Sequence, residues 1–345
     1  MKQLKTWTLA ALLAVAAAGP GHATIVRFDT PVGFFYVDLL EAEAPNTVAN
    51  FLNYLRDGDY VDSIVHRNVF GFVIQGGAIT RTNEAFADVP TDPAIQNEPG
   101  VSNVRGTMAM AKLADDENSA TSQWFINTAN STFLDTDNGG FTVFGRVLGN
   151  GMEVVDLINS LDSFNIDGGI LSSLPLRING EFTNEVTDAN VIYTQITEVA
   201  GFTINAGLSG AWFNAATPGQ GFLLDIIDSG DRQEVFVAWF TYDVNTPGDD
   251  EGAGFGSTQH RWFTAGGTFS GDTATLTISR NTGGIFNDPA TTDNEPVGTM
   301  TIRFIDCTTA VLAFDFDDDS ITDATIDIIR LSPDAFCGDL AVPTD

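Results

Sequence analysis

HRNVFGFVIQGG, residues 66–77, sets a histidine and an arginine ahead of an apolar run that closes on a glutamine and two glycines. No carboxylate, serine or cysteine lies within it, so whatever Arg67 does, it does without a neighbouring nucleophile. Strand alternation puts Val65 and Arg67 on one face, and past the bend at Phe70-Gly71 it puts Val73 and Gln75 together. Phe72, at the bend, is not placed by the period. The expected product is a shallow apolar patch edged by one guanidinium and one amide. His66 must face the other way and reads as a packed structural histidine rather than an acid–base catalyst. Gly76 and Gly77 read as serving backbone conformation, because no helix with a phosphate-binding sequence follows them.

Working outward, Ile25 to Phe28 and Phe34 to Leu39 read as strands around the turn Thr30-Pro31-Val32-Gly33. In APNTVANFLNYLRDGDY, Val48, Phe51, Leu52 and Leu55 fall at i, i+3, i+4 and i+7, with Pro45 near the start and Gly58 past the end, which predicts an amphipathic helix. Val154, Leu157, Ile158 and Leu161 repeat that spacing and predict a second. Between them, Thr107 to Ala111, Gln123 to Asn127 and Thr142 to Val147 are short apolar segments separated by Asn-, Asp- and Gly-rich loops. The expected fold is mainly β: a closed antiparallel sheet capped by two helices rather than a βαβ succession.

The chain is long enough for two domains at 345 residues. Residues 1–23 differ from the rest. Lys2 and Lys5 precede the apolar run Leu9 to Ala18, and Gly21-His22-Ala23 supplies small residues around a cleavage point, which predicts a secretory signal peptide. Its apolar stretch is too short for a permanent anchor, and no other run approaches a membrane span. The remaining chain is expected in the periplasm or secreted, with no membrane as partner. Without Lys2 and Lys5, the 15 basic residues become 13 against 46 acidic ones, a net charge of −33. Lys112 is then the only lysine. So acidic a chain lacks the basic patch that nucleic acid or anionic lipid requires.

After about Glu198 helical periodicity disappears. Phe222 to Ile226, Glu234 to Tyr242, Thr273 to Ile278, Thr299 to Phe304 and Ala310 to Phe316 alternate as strands, so residues 208–340 read as an all-β domain, sandwich or barrel, joined through a linker at 201–207. Cys307 and Cys337, in an exported chain, predict one disulfide closing a loop of about 30 residues. Two thiols make a poor metal site. Asp315, Asp317, Asp318, Asp319 and Asp323 are spaced like the start of a calcium loop, but Ser320 and Ile326 replace its glycine and its bidentate glutamate, so no metal is assigned. Trp212, Trp239 and Trp262 read as buried sheet aromatics ahead of a sugar platform.

The ordered set HRNVFGFVIQGG, NVRGTMAMA (103–111), SQWFIN (122–127), FLD (133–135) and FTVFGRV (141–147), flanked by the APNTVANFLNYL and GMEVVDLI helices, resembles the cyclophilins, and most closely their bacterial exported branch. The resemblance covers about residues 24–200. It implies an eight-stranded antiparallel β-barrel capped by two helices that catalyses cis/trans isomerisation of peptide bonds preceding proline, without a cofactor. Residue by residue it implies that Arg67 is the catalytic arginine. Phe72, Val73, Phe125 and Leu134 match the pocket for the proline ring, and Gln75 and Gln123 match the amides near the substrate backbone. Ala109 and Met110 match the segment that pairs with the peptide main chain, where the second place more often holds Asn. Phe133 stands where many members have Trp, which implies poor cyclosporin binding, and Val73 replaces a more common Met. The family's usual histidine after the Leu-Asp pair has no clear match; Asn138 is nearest. Residues 207–226, 235–243 and the Cys307–Cys337 segment resemble a β-rich module of exported bacterial proteins that brings no chemistry with it. The implied partners are proline-containing segments of exported proteins. The competing reading is a silent proline-peptide binder whose C-terminal domain carries an adhesive or glycan-binding role.

Overall fold

The computed structural model describes residues 24–178, 185–199, 201–228, 232–242, 260–282, 293–318, 321–332 and Cys337. The leader expected at 1–23 lies outside them, as do Asp319 and Ser320 of the acidic segment. Among the described residues no three His, Cys, Asp or Glu side chains gather as a metal site, and no helix is long and apolar enough to cross a membrane.

The first half opens with the hairpin of β1 (Ile25–Thr30) and β2 (Gly33–Leu39), followed by α1 (Pro45–Asp57). The short strands β3 (Arg67–Val69) and β4 (Val73–Gly76) come next, then the separate hairpin β5 (Ile79–Thr82) and β6 (Ala85–Asp88). β7 (Thr107–Met110), β8 (Trp124–Asn127), β9 (Val143–Val147) and α2 (Gly151–Asn159) follow. The half ends with a two-residue pair, β10 (Ser163–Phe164) and β11 (Leu174–Pro175), and with β12 (Gln195–Glu198). Eight strands pair in the order β12-β1-β2-β9-β7-β8-β4-β3. The barrel closes through residues just ahead of its two edge strands: Ile64 bridges Tyr193, and the Val65 and Thr194 amides donate to the Ile192 and Ser63 carbonyls, each at 2.8 Å. The outer side of β3 is covered by the 163–175 segment, whose Ser173 carbonyl accepts from Asn68 N at 2.8 Å.

Helix α1 buries Val48, Phe51 and Leu52 as its period predicts, and Gly58, at φ +83°, supplies the left-handed turn that ends it. Its N-terminus has no side-chain cap of its own. Glu98, about fifty residues away in sequence, accepts from the Asn46 and Thr47 amides at 3.2 and 2.8 Å and takes that place. Helix α2 corrects the expected stripe. Val155 and Ile158 are fully buried, but Leu157 is 53% exposed. The reason is Gly151: a Cβ there would meet Val147 and Phe35 side chains at 2.7 and 2.8 Å, so the helix approaches the sheet along Gly151, Val155 and Ile158.

The two glycines of the 66–77 stretch have separate reasons. A Cβ on Gly76 would lie inside the indole of fully buried Trp124, whereas Gly77 takes φ +81° against the Ser122 carbonyl. Gly76→Ala should therefore destabilise the barrel by about 1–3 kcal/mol, the usual cost of overpacking. A shift of the denaturant midpoint corresponding to less than about 0.5 kcal/mol would show that the indole can move aside.

The second half is a closed antiparallel barrel, which decides between the two expected architectures. Its strands are β13 (Gly210–Phe213), β14 (Gly221–Asp228), β15 (Gln233–Tyr242), β16 (His260–Ser270), β17 (Thr273–Thr282), β18 (Asp293–Phe304), β19 (Thr309–Phe316) and β20 (Ala324–Arg330). They pair in chain order, and β13 returns to β20 through Trp212 and Arg330. Strand β16 is hidden in the sequence by Gly266-Gly267. Gly267 is needed because a Cβ there would collide with the backbone of Thr275. Within the 201–207 segment, read as a linker, Ile204 is buried in this barrel's core, and Asn205 caps the single turn at Ala206–Leu208. Cys307 and Cys337 form the expected disulfide.

The two barrels touch. Ile25, Tyr36 and Leu148 of the first form one apolar cluster with Ile305 of the second. Beside it, Arg146 reaches Asp38 at 3.7 Å and Asp327 at 3.5 Å, and Gly149 N donates to Asp327 at 3.2 Å. Burial pushes the Asp38 carboxyl up to about 6 despite Arg146 and Arg303 nearby.

Candidate active site

The pairing of β3, β4, β8, β7 and β9 lines up one lateral row. Arg67 stands opposite Gln75, Gln75 opposite Phe125, Phe125 opposite Ala109, and Ala109 opposite Val143. Directly paired residues share a face, so strand register alone carries a guanidinium, an amide, an aromatic ring and a small floor residue onto one surface. Along this row Arg67 Nη1 donates to Gln75 Oε1 at 3.0 Å, and Gln75 Nε2 donates to Gln123 Oε1 at 2.9 Å.

The apolar part is a satellite cluster separate from the main core. It consists of Val73, Ala109, Phe125, Leu134 and Val143, with Phe72 and Phe141 packed on its margin. Phe72, which the strand period could not place, lies beside Phe133 with ring centroids 5.7 Å apart. Phe133 is 60% exposed and forms an outer wall, whereas Leu134 beside it is buried. Phe141 and Val143, not assigned a place by sequence reasoning, back the floor; Phe141 meets Phe125 edge-on at 5.9 Å. Their signal was the FTVFGRV segment, which reads as a strand but does not say which of its alternating faces meets the pocket.

One placement is corrected. Val65 does not share a face with Arg67; it belongs to the main core with Ile74 and Trp124. Residues 64–66 switch partners, with Ile64 bridging Tyr193 and Arg67 bridging Ser173 in parallel, so simple alternation fails just ahead of β3. Met110 is also in the main core, opposite Trp124, so its side chain does not face the patch. Its amide is already donated to the Thr142 carbonyl at 3.0 Å. Asn138 spends its amide on the Leu113 carbonyl at 2.9 Å.

Arg67 is half-buried, and no carboxylate of a described residue lies within ion-pair distance of it. Burial is the cause that lowers its pKa from the usual arginine value, and an arginine so lowered still keeps its charge. A partly desolvated guanidinium held by one neutral amide beside an apolar hollow can donate hydrogen bonds to a polar atom entering that hollow. No group in the row is built to accept a proton from substrate.

His66 is 1% exposed, with neither ring nitrogen hydrogen-bonded among the described residues. Burial, with the Arg67 charge adding, pushes its pKa down to about 4. The unfolded chain binds that proton near 6.5, so the stability contributed by neutral His66 is fully present above pH 6.5 and is lost as pH falls toward 4. Between pH 7 and pH 4 this group should remove about 3 kcal/mol of unfolding free energy. Urea titrations of the parent and His66→Leu at both pH values test it; equal pH dependence in the two proteins would rule it out.

Comparison with known proteins bears on this geometry. Residues 25–173 match the family described as cyclophilin type peptidyl-prolyl cis-trans isomerase/CLD. Peptidyl-prolyl cis-trans isomerase A of Dickeya dadantii is 37% identical over 163 residues, covering 45% of this chain and 83% of that protein. The chain belongs to the cyclophilin family of peptidyl-prolyl cis-trans isomerases. A Streptomyces antibioticus cyclophilin, peptidyl-prolyl cis-trans isomerase cyp18, is 43% identical over 143 residues, covering 39% of this chain and 83% of that protein. Peptidyl-prolyl cis-trans isomerase B of Escherichia coli is 38% identical over 144 residues, covering 40% and 85%. The cyclophilin family match ends within the segment that covers β3, so the second barrel lies outside it.

Proposed function

We propose that this cyclophilin isomerises peptidyl-prolyl bonds in exported proteins, with Arg67 stabilising the twisted amide. The observation that carries the reading is the register row, which sets a guanidinium with no carboxylate partner among the described residues at the lip of an apolar hollow walled by Phe72, Val73, Phe125, Phe133 and Leu134. A proline ring seated in the hollow would place its nitrogen near Arg67. Amide resonance sets a barrier of about 18–20 kcal/mol. As the bond twists, that resonance is lost and the nitrogen lone pair localises, so an N–H aimed at it stabilises the transition state more than the planar ground state. Each tenfold acceleration needs only about 1.4 kcal/mol. Gln75 orients Arg67 and is itself oriented by Gln123, while the Ala109–Met110 segment would meet the peptide backbone. No proton transfer, covalent intermediate or cofactor enters this scheme.

An exported location is supported by the leader read at residues 1–23 and by the Cys307–Cys337 bridge. A platform of three tryptophans on the second barrel has little support, since Trp212 and Trp239 are 1% and 7% exposed and only Trp262 is open, at 52%. The test is prolyl exchange in a short Ala-Pro peptide with the parent and Arg67→Ala. Acceleration that the variant loses supports catalysis; an uncatalysed rate with the parent would leave a peptide-binding module instead.

A further inference from the structure

The loop that follows Phe133 and Leu134 is held at both ends by polar side chains. At its start, the Asp135 carboxylate accepts from Ser102 Oγ at 2.6 Å and from Asn103 N at 2.7 Å. At its far end Asn138, Gly139 and Gly140 all take positive φ, at 47°, 77° and 81°, and the carbonyls of all three are claimed by two side chains. Lys112 Nζ donates to the Asn138 and Gly140 carbonyls at 2.8 and 2.7 Å. Asn97 Nδ2 donates to those of Gly139 and Gly140 at 3.0 and 2.7 Å. The Lys112 ammonium also sits 4.7 Å from the centroid of the Phe141 ring, the ring that meets Phe125 edge-on. Phe141 N closes the loop onto the Leu134 carbonyl at 2.9 Å.

Lys112 itself lies two residues beyond β7, on a segment pinned to the sheet by the bond from Ala111 N to the Gln123 carbonyl at 2.9 Å. One ammonium therefore connects the strand that carries Ala109 to the loop that carries the Leu134 wall, across the Phe141–Phe125 contact. Asn97 can hold Gly139 and Gly140 without help, but it does not reach Asn138. A charged donor binds such carbonyls about twice as strongly as a neutral amide does.

We propose that Lys112 is a positioning residue for the proline pocket: by binding the Asn138 and Gly140 carbonyls it fixes Leu134 and Phe141 against Phe125. The proposal rests on reading this hollow as the proline site. Arg67 stands on β3, at the other end of the row, so the effect falls on binding rather than on turnover.

The experiment measures KM and kcat separately for an Ala-Pro peptide with the parent, Lys112→Met, Lys112→Arg and Arg67→Ala, alongside amide hydrogen exchange at Phe141. Lys112→Met keeps the aliphatic stem and removes the donor. It should raise KM about five- to tenfold, because the two charge-assisted hydrogen bonds it removes act on the pocket only through the loop they hold, with kcat within about twofold and faster exchange at Phe141. Lys112→Arg should return KM to within about twofold of the parent, which a purely structural role for the stem would not require. A folded Lys112→Met with unchanged KM, or an arginine variant no better than the methionine one, overturns the assignment while an active parent leaves the isomerase reading intact. An inactive parent overturns both.

Discussion

Arg67→Ala should lower kcat/KM for exchange in an Ala-Pro peptide by about 100- to 1,000-fold, the range seen when a single preorganised donor is removed from a transition state. The unfolding midpoint should hardly move. Arg67 is half-buried, its hydrogen-bonding partner among the described residues is Gln75, and the Gln75 amide keeps its bond to Gln123. Arg67→Lys separates charge from geometry. The ammonium retains the charge but loses the planar fork, one arm of which is spent on Gln75. It should recover less than about tenfold of what alanine loses if N–H direction matters more than net charge. A lysine variant near parental activity would show that a positive potential suffices and that the row merely locates it. Retained activity in Arg67→Ala would remove the proposed role altogether.

The double variant Cys307→Ala/Cys337→Ala should lose about 3–4 kcal/mol from the second barrel in the loop-closure account, for a sequence separation of 30. The bridge joins the turn between β18 and β19 to a fully buried Cys337. Cys337 packs so closely on Gly207 that a Cβ there would lie 2.6 Å from its Cα. Arg330 tightens the same end by donating to the Gly207 and Ser209 carbonyls, each at 2.6 Å. Tryptophan fluorescence during denaturation is a suitable readout, since Trp212, Trp239 and Trp262 lie in the second barrel and Trp124 in the first. The first barrel's peptide activity should persist in the double variant, because its core and its site are separate clusters. A loss below about 1 kcal/mol would mean that packing around Cys337 and Arg330, rather than the covalent bond, holds this end closed.

Much of the first barrel was legible before any coordinates. Helix α1 could be read because burial on one face of a helix leaves a period in the chain, and Pro45 and Gly58 mark its ends through their own backbone preferences. Strands β7, β8 and β9 were legible as short apolar runs, and β1 and β2 as a hairpin. Where reading failed, the deciding contact lay elsewhere in the chain. Leu157 was counted as buried because the period cannot say which side of α2 meets the sheet; Gly151 decides that by letting Phe35 approach. Val65 was placed with Arg67 because alternation assumes one continuous partner strand, and here the partner changes.

The sequence by itself determined the local chemistry: which segments become strand or helix, that Cys307 and Cys337 are the available thiols, that Arg67 comes without a nucleophile, and which family motifs stand in order. Only the tertiary structure decided the associations. It brought Arg67, Gln75, Phe125, Ala109 and Val143 into one row through four separate strand pairings. It also put Met110 in the core, capped α1 with Glu98, and seated Ile305 against Tyr36 between the barrels. The physical reason is that propensity, capping and hydrophobic period act over a few residues and are written where they act. Register, caps borrowed from afar and domain contacts are set by which buried surfaces and unpaired polar groups find one another when the whole chain closes.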